Sequence, residues 1–514
     1  MKATTFSRVF TVLALAVAAY LAFLLSRYFS PTPTPRFRIE TFFMWFVAAG
    51  VAAVCLRPSS TAVEDPNPAL DAAHFKWVFG AFVAIAFVYY WPALTIGFLS
   101  DDFVLAEWAS RREWIHVSAT GFVRPIVPFI WYILSALPGS LAQNVHIVNV
   151  VLHALNATLV AALATRLGAR RIEAAAAGLI FLTFPALSEA VVWASGMQDV
   201  LMTTFVLASI LAVLEVDVSA GAAVAAVGGT VVAILTKETA IVLPALAWLI
   251  AWVSPSGIGR GSRRLTIVAM TVVAIVYAVV RAFVGLPSGY GSGVSRYFAK
   301  QLIVDPFSSL GAPWSATWID AHAFIALFRA VVILGLLAAA FAHWRRDAGF
   351  GRAAVFAGWV LVAVVPVLSL FFVSDALEGS RYLYLPAVGF SLFLATMART
   401  AASLAPARIS VVALMTATAV FVLPAFVSAP AELARWTAAA KMRDQILISY
   451  VRVMPEVSCG QIVTEGSADS VDGAFVLRNG FTQALADMGV DTTAFTSAPR
   501  CRIGWTDHLV VKQE

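Results

Sequence analysis

Long apolar runs recur along most of the chain, and they decide which folds are open to it. Of the 514 residues, 61% are hydrophobic and 12% are charged, and the mean hydropathy of +0.85 lies well above the range of soluble globular proteins. Runs of roughly 17 to 25 apolar residues have the length that crosses a bilayer as a helix. We therefore expect an all-α polytopic membrane protein with about thirteen transmembrane helices.

The candidate spans are residues 9–25, 41–56, 77–99, 145–163, 172–187, 201–216, 220–235, 240–253, 265–284, 323–341, 353–373, 383–397 and 409–427. The first run also has the length of a signal-peptide core. The Pro-Thr-Pro-Thr-Pro segment that follows it lacks a small-residue cleavage site, which favours an uncleaved first span. We expect an N-terminal transmembrane hairpin with a linker (1–76), a transmembrane core (77–428) and a C-terminal domain (429–514).

Arginines in the predicted loops give an orientation, because short loops rich in Lys and Arg stay on the cytoplasmic side of a membrane. They fall on alternate loops: Arg166, Arg170 and Arg171, then Arg260, Arg263 and Arg264, then Arg345, Arg346 and Arg352, then Arg399 and Arg408. The remaining loops, with most of the acidic residues, are then on the outer side. The first hairpin fits this scheme poorly. The Ala-rich spans and compact loops favour a bacterial inner membrane, with the outer loops facing the periplasm or cell exterior.

Two segments depart from the pattern of membrane spans. Residues 126–137 are apolar but too short to cross, so we expect a helix on the outer interface. Residues 429–514 carry charge throughout and alternate in polarity at 461–464 and 508–512, with a helix-like stretch at 473–488. They predict a small extracytoplasmic α+β domain, in which Cys459 and Cys501 could form a disulfide or remain two buried thiols. Cys55, inside a span, has no such partner.

Two adjacent acids, Asp101 and Asp102, follow the apolar run 77–99 after a single serine, Ser100. An ionised carboxylate costs about 2.5 to 3.5 kcal/mol at the centre of a span and less near the interface, so acids in such places usually face a cavity or water. The pair suggests a reaction centre on the outer side. The alternative is a solvated turn at a helix end that carries no chemistry.

Polar residues line one face of the predicted helix 145–163, namely His146, Asn149, His153 and Asn156, at spacings of three, four and three residues. Such a stripe should face other helices. Interhelical hydrogen bonds are the simpler explanation for the deeper His153 and Asn156. His146 and Asn149 lie near the outer end and are better candidates for a site, although a spacing of seven between the two histidines is a weak metal-binding signal.

Charged and aromatic residues of the other outer loops could join the same site: Glu189, Trp193, Asp199, Lys237, Glu238, Arg381 and Tyr382. Lys237 and Glu238 could equally form a local ion pair that caps two helix ends. Arg381 is the only basic residue of its loop and suits an anionic headgroup through paired N–H donors. Anchoring of this arginine at the membrane interface is the alternative.

Six short motifs occur in one order: SDDF, FVRPIVPFIWYIL, NVHIVNVVLHALNATL, FPALSEAVVWASGMQDVL, LTKETAIVLP and SRYLYLP. Together they resemble the catalytic core of the C-type (GT-C) integral membrane glycosyltransferase superfamily. Their order and spacing are most similar to the transmembrane core of O-mannosyltransferases with tetratricopeptide repeats, and more distantly to protein O-mannosyltransferases and lipid A aminoarabinose transferases. The resemblance covers residues 77–397. Phe184 stands where relatives usually have His before the Pro, Met197 and Gln198 stand in a stretch that often has an Arg, and the repeats are absent.

The resemblance implies transfer of a sugar from a polyprenyl-phosphate donor to an acceptor hydroxyl of a protein, lipid or polysaccharide, by an inverting single displacement. Asp101 would be the general base, a role that contributes about 10² to 10⁴ in rate, and Asp102 would orient it or hold a divalent cation. Arg381, Lys237 and Arg124 would bind the donor phosphate, whose developing charge needs cationic donors. The substrate pocket would contain Glu189, Asp199, Trp193, His146, Asn149 and Tyr382.

Two other classes of function stay open on the sequence. In a flippase or secondary transporter of lipid-linked substrates, the acids would relay protons or ions near the bilayer midplane. A non-catalytic scaffold would leave the aligned polar residues without a role. Nucleic-acid binding is not expected, because the net charge of +6 is explained by the arginines of the inner loops.

Overall fold

The computed structural model describes residues 72–117, 121–254, 257, 261–284, 301–302, 305–311, 313–315, 350–368, 370–402, 407–453, 459–492 and 500–513. Several sequence-based predictions lie outside these residues: the spans 9–25 and 41–56, the span 323–341, Cys55, Arg260, Arg345 and Arg346. The described chain is mostly helical, with strands only in its C-terminal part.

The helices up to the C-terminal region are α1 (Ala72–Tyr89), α2 (Asp101–Ser110), α3 (Ile126–Ser135), α4 (Leu141–Arg166), α5 (Arg171–Leu182), α6 (Ser188–Val192), α7 (Met197–Glu215), α8 (Ala220–Thr236), α9 (Leu243–Val253), α10 (Gly261–Phe283), α11 (Asp305–Gly311), α12 (Phe350–Val364), α13 (Tyr384–Ala402) and α14 (Ala407–Val453). Short 3-10 turns occupy Trp91–Thr95, Pro185–Leu187, Ala194–Gly196, Glu238–Val242, Val365–Val367 and Ser380–Leu383. Helix α3 confirms a short helix within residues 126–137.

The described helices support a membrane protein but do not reach the predicted count of spans. Among the described residues, five helices are long and apolar enough to cross a bilayer, or six if the bent pair α5 and Pro185–Val192 is one span. Five further apolar helices are shorter. Helix α10 carries a row of exposed apolar side chains that suits contact with lipid, namely Leu265, Val268, Val272, Ile275, Val276, Val279, Val280 and Phe283.

Prolines explain why several predicted spans are shorter than their apolar runs. The run 77–99 is helical only to Tyr89, and Pro92 then opens a 3-10 turn, because proline lacks the N–H and its ring clashes with the preceding turn. Pro185 similarly separates α5 from α6, with a bend of 53°. Apolarity in a sequence does not distinguish a continuous span from one that is broken near its end.

The charged loops lie at two opposite ends of the helix bundle. Helix α4 has 26 residues and is therefore about 39 Å long, which separates its two ends widely. Arginines predicted to be cytoplasmic lie at the end where α4 and α7 finish, and they contact acids or a carbonyl there: Arg166 with Glu215, Arg263 with Asp217 (2.9 Å), Arg399 with Glu173 (3.2 Å), and Arg352 with the carbonyl of Leu167 (2.9 Å). The loops predicted to be outer lie at the other end, where α4, α7 and α13 begin.

One long helix leads from the helix bundle into the C-terminal region. Helix α14 is continuous for 47 residues, although it contains Pro424 and Pro430, and the expected boundary between residues 428 and 429 lies inside it. The strands are β1 (Ile462–Gly466), β2 (Ser470–Val471), β3 (Ala474–Phe475), β4 (Cys501–Trp505) and β5 (Leu509–Gln513), with helix α15 (Phe481–Asp487) between β3 and β4. The predicted helix 473–488 is thus wrong in its first half.

The strands form two small sheets. In the larger sheet the order is β1-β4-β5, with β1 parallel and β5 antiparallel to β4, and β2 pairs with β3 as a hairpin. Strands β1 and β5 correspond to the alternating segments 461–464 and 508–512. Gly480, with φ +77°, precedes α15, and this left-handed conformation favours glycine and separates the hairpin from the helix.

Cys459 and Cys501 form a disulfide with a Cα–Cα distance of 5.4 Å, and it closes a sequence separation of 42 residues. Replacement of both cysteines by Ser should lower the stability of the C-terminal region by about 2–5 kcal/mol, because the unfolded chain regains the entropy of the open loop. Thermal unfolding of the detergent-solubilised protein measures this. The wild type after denaturing reduction and refolding should match the variant. Equal unfolding temperatures for oxidised wild type and variant would contradict the expectation.

Candidate functional site

Polar side chains from several loops meet at the end of the bundle where α4, α7 and α13 begin. They form buried or partly buried ion pairs: Arg381 with Glu189, Lys237 with Asp199 (2.6 Å) and Arg124 with Glu238. Glu189 is fully buried and Lys237 is 5% exposed, whereas Arg124 and Arg381 are 19% and 21% exposed. The two arginines therefore keep access to the surface, and Lys237 lies beneath it.

Aromatic rings and one amide join these pairs into one group, called the cationic cluster after Arg124, Lys237 and Arg381. The guanidinium of Arg381 lies 4.9 Å from the ring centre of Tyr382, and Nζ of Lys237 lies 5.7 Å from the same ring. Arg124 also donates a hydrogen bond to Gln198, the neighbour of Asp199. The structure thus brings the three predicted phosphate-binding residues together, each already paired with a carboxylate.

The adjacent acids Asp101 and Asp102 lie in different surroundings. Asp102 is completely buried. Its Oδ2 accepts from the backbone N–H of Leu99 (2.8 Å), and its Oδ1 accepts from the backbone N–H (2.7 Å) and the hydroxyl of Ser195. Asp102 therefore fixes the start of α2 to the turn before α7.

The contacts of Asp102 do not fit the metal-binding role that the sequence suggested. Both of its carboxylate oxygens are already occupied by donors of the protein. Within the described part of the chain, no three His, Cys, Asp or Glu side chains are grouped so that they could hold a metal ion. We therefore assign Asp102 no cation.

Asp101 begins helix α2 and is partly exposed. Its Oδ1 accepts a hydrogen bond of 2.6 Å from the side-chain amide of Asn479 in the C-terminal region. Oδ2 accepts none from the residues that the structure describes. Of the two acids, Asp101 is thus the one with an oxygen available to a molecule from outside.

Trp193 connects the acids to the cationic cluster. Its indole N–H donates to the carbonyl of Leu99 (3.1 Å), the residue whose N–H contacts Asp102. The guanidinium of Arg381 lies 5.1 Å from the tryptophan ring, within the range of a cation–π contact. Acids, tryptophan and arginine therefore form one continuous site.

His146 and Asn149 lie beneath this site and do not line an open pocket, contrary to the expectation from the sequence. His146 Nε2 is 3.0 Å from the carbonyl of Gly97, and the Asn149 amide donates to the carbonyls of Ala190 (3.0 Å) and Val191 (2.8 Å). Both side chains are at least 99% buried. They hold the backbone of the two loops that carry the acids and Glu189.

The deeper half of the polar stripe forms interhelical hydrogen bonds. The Tyr384 hydroxyl accepts from the Asn156 amide (3.1 Å) and donates to Nδ1 of His153 (2.7 Å), so Nε2 of His153 carries the proton and donates to the carbonyl of Leu182 (3.0 Å). This network joins α4 to α5 and α13 by hydrogen bonds in an apolar interior. His153 and Asn156 therefore form interhelical hydrogen bonds, the simpler explanation that the sequence offers for them.

Several residues of the site were not found from the sequence. Ser195 lies inside a quoted motif, but nothing marks it as the partner of Asp102. Arg435 of α14 is buried and donates to the hydroxyl of Ser188 (3.1 Å), beside Glu189, although its position lies beyond the predicted core. Asn479 lies in the segment 473–488, for which the sequence predicts a helix. Only the tertiary fold brings these residues to the site.

Asp102→Asn should destabilise the protein by about 1–3 kcal/mol, because the amide nitrogen cannot accept and leaves one buried N–H unsatisfied. Burial raises the pKa of Asp102 from 3.8 to about 7, against the hydrogen bonds from Ser195 and Leu99 that lower it. The folded protein holds the Asp102 proton more tightly than the unfolded chain does. The stability that results from this raised pKa is fully present below about pH 4 and is lost as the pH rises through about 7. Unfolding temperatures measured between these pH values should fall with pH in the wild type and change less in the variant. A variant as stable as the wild type, with the same pH profile, would contradict this.

Comparisons of the chain with protein-family models, curated proteins and solved structures find no match.

Proposed function

We propose that the protein is a polyprenyl-phosphate-sugar-dependent glycosyltransferase that moves a sugar to an acceptor hydroxyl by an inverting single displacement. The observation that carries the proposal is the continuous site in which Asp101, with one carboxylate oxygen that accepts no hydrogen bond from the described residues, is joined through Trp193 to the cationic cluster. The site lies at one end of a bundle of apolar helices. The six motifs that resemble the GT-C core supply most of its residues.

Asp101 suits the role of general base. An acceptor hydroxyl is a weak nucleophile until a group within hydrogen-bond reach takes its proton during attack on the anomeric carbon. Within the part of the chain that the structure describes, Asp101 Oδ2 accepts no hydrogen bond, while Oδ1 accepts one from Asn479. Attack by the hydroxyl on the face opposite the phosphate breaks the bond from the anomeric carbon to the phosphate oxygen and inverts that carbon.

The cationic cluster suits the leaving group, a lipid phosphate that gains negative charge as its bond to the sugar breaks. Preorganised cationic donors stabilise such charge where it develops. Arg381 and Arg124 are the partly exposed members and present planar N–H donors that match phosphate oxygens. Their carboxylate partners Glu189 and Glu238 keep the guanidinium groups in place before the donor binds.

The proposed location is a bacterial inner membrane, with the site and the C-terminal domain on the outer side. The disulfide between Cys459 and Cys501 favours an oxidising compartment for the C-terminal region. The arginine-rich loops at the opposite end of the bundle favour the cytoplasm for that end. A GT-C-like core with about thirteen spans belongs to the same proposal. The acceptor, a protein, a lipid or a polysaccharide, is the partner on the outer side.

A transfer assay tests the proposal. The purified protein is incubated with radiolabelled polyprenyl-phosphate hexose and a crude envelope extract, and label is followed from the lipid phase into the acceptor fraction. Transfer that depends on the protein is the expected result. If label stays on the lipid while the protein equilibrates that lipid across vesicle membranes, the protein is a transporter. The position of the acids at one end of the helices, rather than midway, favours transfer.

A further inference from the structure

Part of the C-terminal region lies directly on the acidic part of the site. Residues 475–483, called the capping segment, contact Ser100 and Asp101 by three hydrogen bonds. The N–H of Ser100 donates to the carbonyl of Val476 (3.0 Å), the N–H of Asn479 donates to the Ser100 hydroxyl (3.2 Å), and the Asn479 side chain donates to Asp101 (2.6 Å). The residue before the acid and the acid itself are thus both bound by the capping segment.

Ser100 has a backbone conformation that needs this support. Its φ is 51° and its ψ is −119°, in a region that residues with a Cβ rarely occupy and that persists only when surrounding contacts impose it. Ser100 is 1% exposed. Because its N–H and its hydroxyl both bond to the capping segment, that segment fixes the backbone from which the Asp101 side chain projects.

The capping segment also packs closely against the start of helix α2. A Cβ on Gly480 would lie 2.5 Å from the carbonyl oxygen of Ser100 and 3.0 Å from Cβ of Phe103, so only glycine fits there. Phe475 packs against Trp193 with ring centres 4.7 Å apart. The segment therefore touches both the acidic part of the site and the tryptophan that leads to the cationic cluster.

We propose that Asn479 is a positioning residue for Asp101, so that the C-terminal domain is part of the transferase site. This inference rests on the proposed function. The amide of Asn479 holds Oδ1 and thereby directs Oδ2 toward the acceptor hydroxyl. A base that is held in its productive orientation raises the rate of the reaction, because less alignment is needed at the moment of reaction. Asn479 is exposed, so its replacement removes this orientation without opening the core.

The test compares two amide-to-carboxylate hydrogen bonds between the same parts of the protein. Asn479→Ala removes the bond to Asp101, and the matched control Gln483→Ala removes the bond from Gln483 Nε2 to Glu107 Oε2 (3.0 Å). In the transfer assay Asn479→Ala should lower kcat about 10- to 100-fold, with the KM for the donor within about twofold. Asn479→Asp, which keeps the shape but not the N–H donor, should be equally slow. Gln483→Ala should transfer at the wild-type rate.

The outcomes separate the inference from the proposed function. If the wild type transfers sugar and Asn479→Ala or Asn479→Asp transfers at the same rate, Asn479 does not position the base, although the protein is still a transferase. Equal losses of kcat in Asn479→Ala and Gln483→Ala would mean that the transfer rate depends on docking of the domain and not on the Asn479 amide. This result would also overturn the inference. If the wild type transfers no sugar, the proposed function fails and the inference fails with it.

Discussion

Asp101→Asn should lower the rate of sugar transfer by about 10²- to 10⁴-fold, the contribution expected of a general base. The amide cannot accept a proton from the acceptor hydroxyl, but its oxygen can still accept the hydrogen bond from Asn479. Because Asp101 is partly exposed and makes one hydrogen bond within the described structure, the unfolding temperature should stay unchanged. Initial rates of label transfer, measured at saturating donor, give the result.

A second acid on the same helix provides the control. Glu107 of α2 contacts Arg111 (2.7 Å) and Gln483 (3.0 Å) and has no contact with the cationic cluster among the described residues. Glu107→Gln should transfer at the wild-type rate. An Asp101→Asn variant that turns over as fast as the wild type would remove Asp101 as the base, and Asp102, buried and fully engaged, could not replace it without rearrangement.

Arg381→Leu should abolish measurable transfer and also destabilise the fold by about 3–5 kcal/mol. The leucine removes the ion-pair partner of Glu189, which is 0% exposed, and breaking a buried pair on one side is strongly destabilising. The double variant Arg381→Leu/Glu189→Leu removes both members of the pair and should recover most of the stability, because a buried ion pair can be replaced by apolar side chains at little cost. Transfer should remain absent in the double variant, since the donor phosphate has lost the guanidinium of Arg381.

The measurements are thermal unfolding and transfer rates on the same preparations. An exposed ion pair of the C-terminal sheet, Arg502 with Glu465 at 3.2 Å, serves as the control. Arg502→Leu should lower the free energy of unfolding by no more than about 1 kcal/mol and should leave the transfer rate unchanged. Transfer that returns in the double variant would show that Arg381 acts only as the partner of Glu189.

Elements set by local chemistry could be predicted from the sequence. Helix α4 spans the predicted run 145–163 because no proline interrupts it, and the side chain of Ser140 caps its N-terminus. The short helix α3 follows from the prolines that flank it. The separation of the arginine-rich loops from the acidic loops follows from alternation of the helices, since each crossing exchanges the two ends.

Other features depend on tertiary contacts that a single sequence does not display. Neighbouring residues of a helix point about 100° apart, so the sequence could not tell that Asp102 is buried and Asp101 is accessible. Helix α14 continues through two prolines and past the change of composition near residue 428 because its later half packs on the C-terminal region. Asn479 lies 378 residues from Asp101 in sequence, and no local pattern indicates that pairing.

A cryo-EM structure of the protein with a non-transferable phosphonate analogue of polyprenyl-phosphate hexose would locate the donor directly. The phosphonate should lie within about 3 Å of the guanidinium of Arg381, with the anomeric carbon facing Asp101 and the polyprenyl chain directed into the membrane. A phosphonate bound at the opposite end of the bundle, beside Arg263 and Arg399, would contradict the proposed site.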